Sequence, residues 1–406
     1  MPDPRDVARA VEEAHRSHWA SVLAGTVRLT RDLDLAEDCT QDAFVRALQT
    51  WSAGIPDSPG GWLATVARRL ALDRIRREAT LRRKLPLLAV EEAAAGGPDP
   101  GPADPLRLVF TCCHPALGRD AQLALTLRLM CGLTTAEIGR VLLAKETAVA
   151  ARVTRAKQKI AAAGVPFRIP PDDALPARLD TVLTVVHLAY TAGHSASGDR
   201  LVREDLTARA VGLARLLVVQ LPDDPEALGL LALLLFAEAR AGSRVDAGGE
   251  LVLLADQDRS GWDRALVHEG LSLATRALAR GDGRFTLQAA IAGLHMSAPA
   301  WEATDWPQVV RMYDALLLRW PTPVVALNRA AAASLVPGAD LEAVLHDLDA
   351  LEAEPTLAAY PYLPATRADV LTRLGRPALA RQAYEDALAL TDSETERRFL
   401  LARRGH

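Results

Sequence analysis

Aromatic side chains make up only 4% of this 406-residue chain, and it has just four cysteines. With so few aromatics, and with Ala, Leu, Arg and Glu dominant, helix is favoured throughout. No apolar run reaches the ~18–20 residues that a membrane-spanning helix needs. The longest, Leu228–Ala237, is closed by Glu238 and suits a buried helix. The opening MPDPRDVARAVEEAHR has no apolar core of the kind a secretion signal carries. Together with the sparse cysteines this predicts a protein of the reducing cytoplasm, with no membrane partner. Absent too are a phosphate-binding glycine loop, a nucleophile elbow and an HExxH helix, so neither catalysis nor a cofactor is expected. Cys112, Cys113 and His114 invite a metal reading. Adjacent cysteines lack the usual separation of about two to four residues in zinc sites, so no metal is expected there and buried thiols are.

Charge, by contrast, is plentiful and unevenly divided. The net of -4 splits into +5 over residues 1–168 and -9 over the rest, which suits a nucleic-acid-binding module joined to one that is not. The densest positive stretch is Gly61–Lys84. It carries eight basic residues (Arg68, Arg69, Arg74, Arg76, Arg77, Arg82, Arg83, Lys84) against Asp73 and Glu78. Leu63, Val66, Ala67, Leu70, Ala71 and Ile75 recur at three- and four-residue steps, so a helix buries one stripe and turns its arginines to water. Such a surface is either a solvated face or a phosphate grip.

A second element lies about sixty residues further on, at Leu133–Ile160. Thr134 or Thr135 caps a short helix with Glu137 in its first turn, where negative charge suits the helix dipole. After a turn at Leu143–Lys145, a second helix places Val149, Val153, Ala156 and Ile160 inward. Lys145, Thr147, Ala151, Arg152, Arg155, Lys157 and Lys159 then face outward. Two short helices with a basic second one read either as a packed pair or as a helix-turn-helix, whose second helix enters the major groove.

In this order and separation the two elements resemble the bacterial sigma-70 factors of the extracytoplasmic-function type. The resemblance covers roughly residues 10–165 and rests on Leu35–Trp51 with Gly61–Glu78, then on Leu125–Ile160 with its lead-in LRLMCGLTTAEIG. It implies that Glu37, Asp38, Gln41 and Asp42 dock on core RNA polymerase. It also implies that the loop Ser52–Gly60 captures a flipped base of the minus-ten element, with Trp62, Arg68, Arg69, Arg74, Arg76 and Arg77 holding melted DNA. Trp62 is either a stacking surface or the core anchor of its helix. Lys145, Thr147, Ala148, Ala151, Arg152 and Arg155 would face the minus-thirty-five element of the duplex. The implied partners are thus core RNA polymerase and promoter DNA, double-stranded and melted, with a regulatory protein as a further partner of the C-terminal region. The competing reading is a free-standing helix-turn-helix regulator with a sensor or scaffold domain, but acidic Leu35–Trp51 has no role in a plain repressor.

The expected architecture is all-α in four parts. Residues 1–88 form a region 2-like domain, 89–105 a Pro/Gly/Asp-rich linker able to reach on the order of 55 Å when extended, 106–168 the helix-turn-helix domain, and 169–406 a helical extension. In the extension, Gly375, Ala380, Tyr384 and Ala387 match the tetratricopeptide pattern. Gly338, Ala343, Ala350 and Pro355 repeat it 37 residues earlier. A generic helical bundle is the alternative. Text similar to the segment Asp246–Arg264, GELVLLxDQDRSxWD, occurs in a subgroup of these factors with such an extension. Glu250, Asp256 and Asp258 there either bind a cation, cap helices or pair with Arg259 and Arg264.

Overall fold

The computed structural model describes residues 3–84, 105–142, 144–171, 174–195, 200–244, 252–391, 397–398 and 400–401. Side chains at 78–84, 140–141, 176–177, 192, 194–195 and 200–205 are outside that description. So are Glu250 and, Pro105 apart, the expected linker. Every regular element among the described residues is a helix, and none is long and apolar enough to cross a membrane. The chain forms two compact units, Met1–Leu217 and Val218–His406.

The front unit opens with three mutually packed helices, α1 (Pro4–Thr30), α2 (Leu33–Thr50) and α3 (Pro59–Lys84). Asp3 caps α1, and the left-handed Arg31 ends it, so the chain turns at once into α2. There Asp32 accepts from the backbone N–H groups of Asp34 and Leu35 at 2.8 and 3.0 Å. Leu23, Ala36, Ala43, Trp51, Leu63 and Ala67 fill the space between the three helices. The apolar stripe foreseen for the basic helix is thus buried or half-buried along α3.

Four shorter helices follow: α4 (Pro105–Cys112), α5 (Arg119–Leu129), α6 (Thr135–Val141) and α7 (Glu146–Ala162). Cys112, Cys113 and Cys131 are buried among them and Cys39 is buried in α2. Burial pushes the Cys113 thiol up to about 12 and that of Cys131 to about 11, so both stay protonated and inert. These helices pack directly on α1 and α2: the Trp19 indole N–H of α1 donates to the Leu129 carbonyl at 2.9 Å, and Lys157 of α7 reaches Asp34 and Glu37 of α2.

Helix α8 (Leu175–Ser195) packs on α4 and α5, with Arg178 donating to the Phe110 carbonyl. The compact front unit therefore runs past the boundary at 168 read from the sequence. It takes in α8 and most of α9 (Arg200–Gln220).

The second unit is a succession of packed helices: α10 (Pro225–Ala239), α11 (Arg264–Leu278), α12 (Arg284–Ser297), α13 (Trp306–Arg319), α14 (Pro323–Ser334), α15 (Leu341–Leu351), α16 (Tyr362–Arg373) and α17 (Pro377–Ala389). Gly338 and Gly375 take φ of 74° and 70° in the turns after α14 and α16, a backbone that favours glycine. Ala380, Tyr384 and Ala387 are buried where the pattern requires. Ala343 and Ala350, matched to them 37 residues earlier, are exposed, and Gly338 lies further beyond its helix than Gly375 does, so the earlier unit does not repeat the later one residue by residue.

Described residues of the segment that interrupts these hairpins serve as caps and ties. Asp258 accepts from the backbone N–H and hydroxyl of Ser260 at 2.8 and 2.7 Å, and Asp263 caps α11. The buried Arg259 donates to the carbonyls of His295 and Ala298 and lies over the Trp262 ring, 4.8 Å from its centroid.

Candidate nucleic-acid interface

Helix α3 presents Arg68, Arg69, Arg76 and Arg77 at the surface. Arg74 departs from that row and is a correction to the sequence reading. Its guanidinium is tied to Asp42 at 2.6 Å and to Asp38 at 3.3 Å on α2, so it serves the helix pair. Trp62 is half-buried with its ring edge-on to the buried Trp51, centroids 5.7 Å apart, which anchors the start of α3. The loop leading into it is exposed at Ser52, Ala53, Gly54, Ile55, Asp57 and Ser58.

The expected polymerase face of α2 is only partly outward. Asp38 and Gln41 are exposed and Asp42 is half-buried. Glu37 is a second correction: it is 4% exposed and faces inward, onto α5 and α7. Its carboxylate meets Arg128 at 2.5 Å and the Lys157 amine at 2.6 Å, and Gln41 donates to it at 3.2 Å. Burial works against the charge on Lys157, but Glu37 and Asp34 outweigh it and raise its pKa above the usual value. Lys157, expected to point outward, is therefore a structural ion.

Two residues that sequence reasoning missed share the outer stripe of α2. Val45 and Leu48 are 50% and 51% exposed, and they continue the line Asp38, Gln41 at helical spacing. The signal was present, since both fall off the apolar stripe Ala36, Ala43, Ala47.

The helix-turn-helix is built by short-range chemistry. Thr134 and Glu137 form a capping box. The Thr134 backbone N–H donates to the Glu137 carboxylate at 2.7 Å, and the Glu137 N–H to the Thr134 hydroxyl at 3.2 Å. A Cβ on Gly139 would stand 2.8 Å from the Ala144 carbonyl oxygen, so only glycine lets the turn close against α6. The Thr135 hydroxyl then donates to Glu146 at 2.9 Å, joining the starts of α6 and α7. Val149, Val153, Ala156 and Ile160 are buried as foreseen. Lys145, Thr147, Ala148, Ala151 and Arg155 are exposed on the opposite side. Arg152 is half-buried and reaches toward exposed Asp120 at 3.7 Å. Such a loose surface pair is worth little and yields readily to a phosphate or base.

Comparison with known proteins follows the same division. Residues 15–80 match the family model described as sigma-70 region 2, and residues 107–160 that described as sigma-70, region 4. Residues 178–278 match a family of unknown function, DUF6596. A Rhizobium meliloti (strain 1021) protein described as uncharacterized is 38% identical over 399 residues, covering 95% of this chain and 92% of its own length. A probable ECF RNA polymerase sigma factor, SigI, of Mycobacterium tuberculosis is 29% identical over 157 residues. That match spans 37% of this chain and 54% of the mycobacterial protein. No solved structure gives a significant match.

Proposed function

The chain belongs to the sigma-70 family, of the extracytoplasmic-function type with a C-terminal helical extension, and from that premise we propose how its surfaces divide the work of initiation. Its sigma-factor role implies core RNA polymerase and promoter DNA as partners. Sigma factors direct initiation and leave the chemistry to the polymerase.

The observation that carries the assignment is the exposed arginine row of α3 together with a helix-turn-helix whose second helix bares Lys145, Thr147, Ala148, Ala151 and Arg155. Arg68, Arg69, Arg76 and Arg77 hold the minus-ten element, and the loop Ser52–Gly60 receives a base flipped out of the stack. Extrusion costs a few kcal/mol of lost stacking, which a fitted pocket must return. Helix α7 reads the minus-thirty-five element: arginine suits bidentate contact with guanine, whereas Lys145 suits phosphate. Asp38, Gln41, Asp42, Val45 and Leu48 make the polymerase-facing stripe of α2. The helical extension modulates these activities. In support, α8, within the segment matched to DUF6596, packs on α4 and α5 beside the DNA reader.

Run-off transcription with purified chain and core RNA polymerase tests the reading. Promoter-dependent transcripts are expected from the full chain. Their absence, with polymerase binding also absent, would return the chain to the class of free-standing regulators. Truncation after Ser195 keeps α8 on the reader. If that form initiates as the full chain does, the extension has no modulating role.

A further inference from the structure

The two readers of the front unit are docked on each other. Lys157 of α7 donates to Glu37 at 2.6 Å and to Asp34 at 2.7 Å, and Arg128 of α5 meets the same Glu37 at 2.5 Å. The Trp19 indole of α1 donates to the Leu129 carbonyl at the end of α5. Gly132, ahead of α6, closes on α1 as well. A Cβ there would stand 2.7 Å from the His15 ring, so only glycine permits the approach.

Helices α8 and α9 tie the same two parts together. Arg178 of α8 donates to the Phe110 carbonyl of α4, and Arg209 of α9 donates to His15 Nδ1 of α1 at 3.1 Å. His15 is brought down to about 4, chiefly by burial, so at pH 7 it is neutral and offers a lone pair to that guanidinium. The beginning of the extension thus holds one helix from each reader.

A docked pair cannot span a promoter. Elements at minus ten and minus thirty-five lie about 25 base pairs apart, ~85 Å of duplex at ~34–36 Å per turn. A compact body the length of Met1–Leu217 has a radius of gyration of ~17 Å and is roughly 45 Å across. Docked, the readers meet one element at a time. The contact is also of a kind that can part, because its centre is ionic. Glu37, Lys157 and Arg128 regain hydration on separation, which offsets much of the attraction they lose.

We propose that the docked front unit is a closed form, latched by Glu37 with Lys157 and Arg128 and strapped by α8 and α9, which opens before both promoter elements are engaged. This inference rests on the sigma-factor reading. It gives the first two helices of the extension the restraining part in modulating initiation.

Two measurements on the full chain test it. The native thiols are buried, so a fluorophore pair goes to Glu12→Cys on α1 and Ala162→Cys at the end of α7, both exposed positions. The free chain is expected to show high energy transfer, which falls on assembly with core polymerase and promoter DNA. Lys157→Glu, which sets a third carboxylate against Glu37 and Asp34, lowers the transfer in the free chain. Lys159→Glu makes the same charge change at an exposed position outside the latch and leaves it high. In the second measurement, Asp34→Cys with Lys157→Cys is joined by a short bis-methanethiosulfonate reagent, which fixes the closed form and carries the test should Lys157→Glu disturb the fold. Promoter-dependent transcripts are lost in the joined chain and return on reduction. Transcripts from the joined chain equal to those after reduction, or unchanged transfer in an initiating complex, overturn the closed form and leave the sigma-factor reading standing. Transcripts from neither form overturn both.

Discussion

Glu37 and Lys157, 120 residues apart in the chain, meet with carboxylate oxygen and amine nitrogen 2.6 Å apart. Arg128 holds the other oxygen of the same carboxylate, so one acid from α2 clasps both α5 and α7. The pair is almost wholly enclosed, and enclosure decides its energetics. Removing one partner strands a buried charge, which typically costs about 3–5 kcal/mol. Glu37→Ala is expected to lower stability by that order in urea denaturation. Glu37→Leu combined with Lys157→Met is expected to recover part of it, because one of the two cations left stranded by the loss of Glu37 is removed as well while Arg128 remains. Equal losses in the single and double variants would show that the clasp acts by shape alone.

His15, His295 and Lys157 set the pH limits of stability. His15 is brought down to about 4, chiefly by burial and then by the charge of Arg209. His295 in the other unit is lowered equally. The unfolded chain binds protons at these positions below about pH 6.5, while the folded chain refuses them until about pH 4. Stability therefore falls on acidification across that window, by on the order of 3 kcal/mol per residue at its lower end. Lys157 acts at the alkaline edge. Its raised pKa gives a contribution that is full below the unfolded value of roughly 10.4 and is lost as pH climbs through the folded one. Thermal melts from pH 4 to 7 should flatten for the front unit in His15→Gln and for the rear unit in His295→Gln. Unchanged slopes would move the acid sensitivity to other groups.

How much of this was legible beforehand depended on sequence distance. The stripe of α3, a threonine cap with Glu137 in the first turn of α6, and glycine turns at Gly338 and Gly375 are local patterns, legible from neighbouring residues alone. The inward turn of Glu37 is not local, because both of its cations come from helices far along the chain. Lys157 did leave a trace. It stands four residues after Val153 and three before Ile160, on the flank of the buried stripe, where a long side chain can reach inward.

Arg152 offers the sharpest test of DNA reading. Its contact with Asp120 is loose and solvent-exposed, so breaking that contact costs the free protein little. Should Arg152 contact a base, Arg152→Ala loses about 1–3 kcal/mol of discrimination at one promoter position. Should it contact phosphate, affinity falls evenly over all sequences and the salt slope drops by about one. Promoter-variant binding at two salt concentrations separates these outcomes, and no change in either removes Arg152 from the interface.

Val45 and Leu48 supply the corresponding test for the polymerase. Each leaves half its surface in water on a helix whose other apolar residues are enclosed, so neither stabilises the free chain much. Surface substitutions of this kind shift stability by only about ±0.5 kcal/mol. Full burial of a leucine against a partner is worth ~1.5–3 kcal/mol, and a carboxylate placed in that contact adds a desolvation penalty. Val45→Glu and Leu48→Glu should thus each weaken core polymerase binding at least about tenfold. The melting temperature of the free chain and its affinity for the isolated promoter duplex should stay the same. Fluorescence anisotropy of labelled chain against core polymerase reads the first quantity, and a thermal melt controls for folding. If both variants bind polymerase as tightly as the parent chain, the outer stripe of α2 is not the docking surface, and exposed Asp38 and half-buried Asp42 lose their assigned role with it.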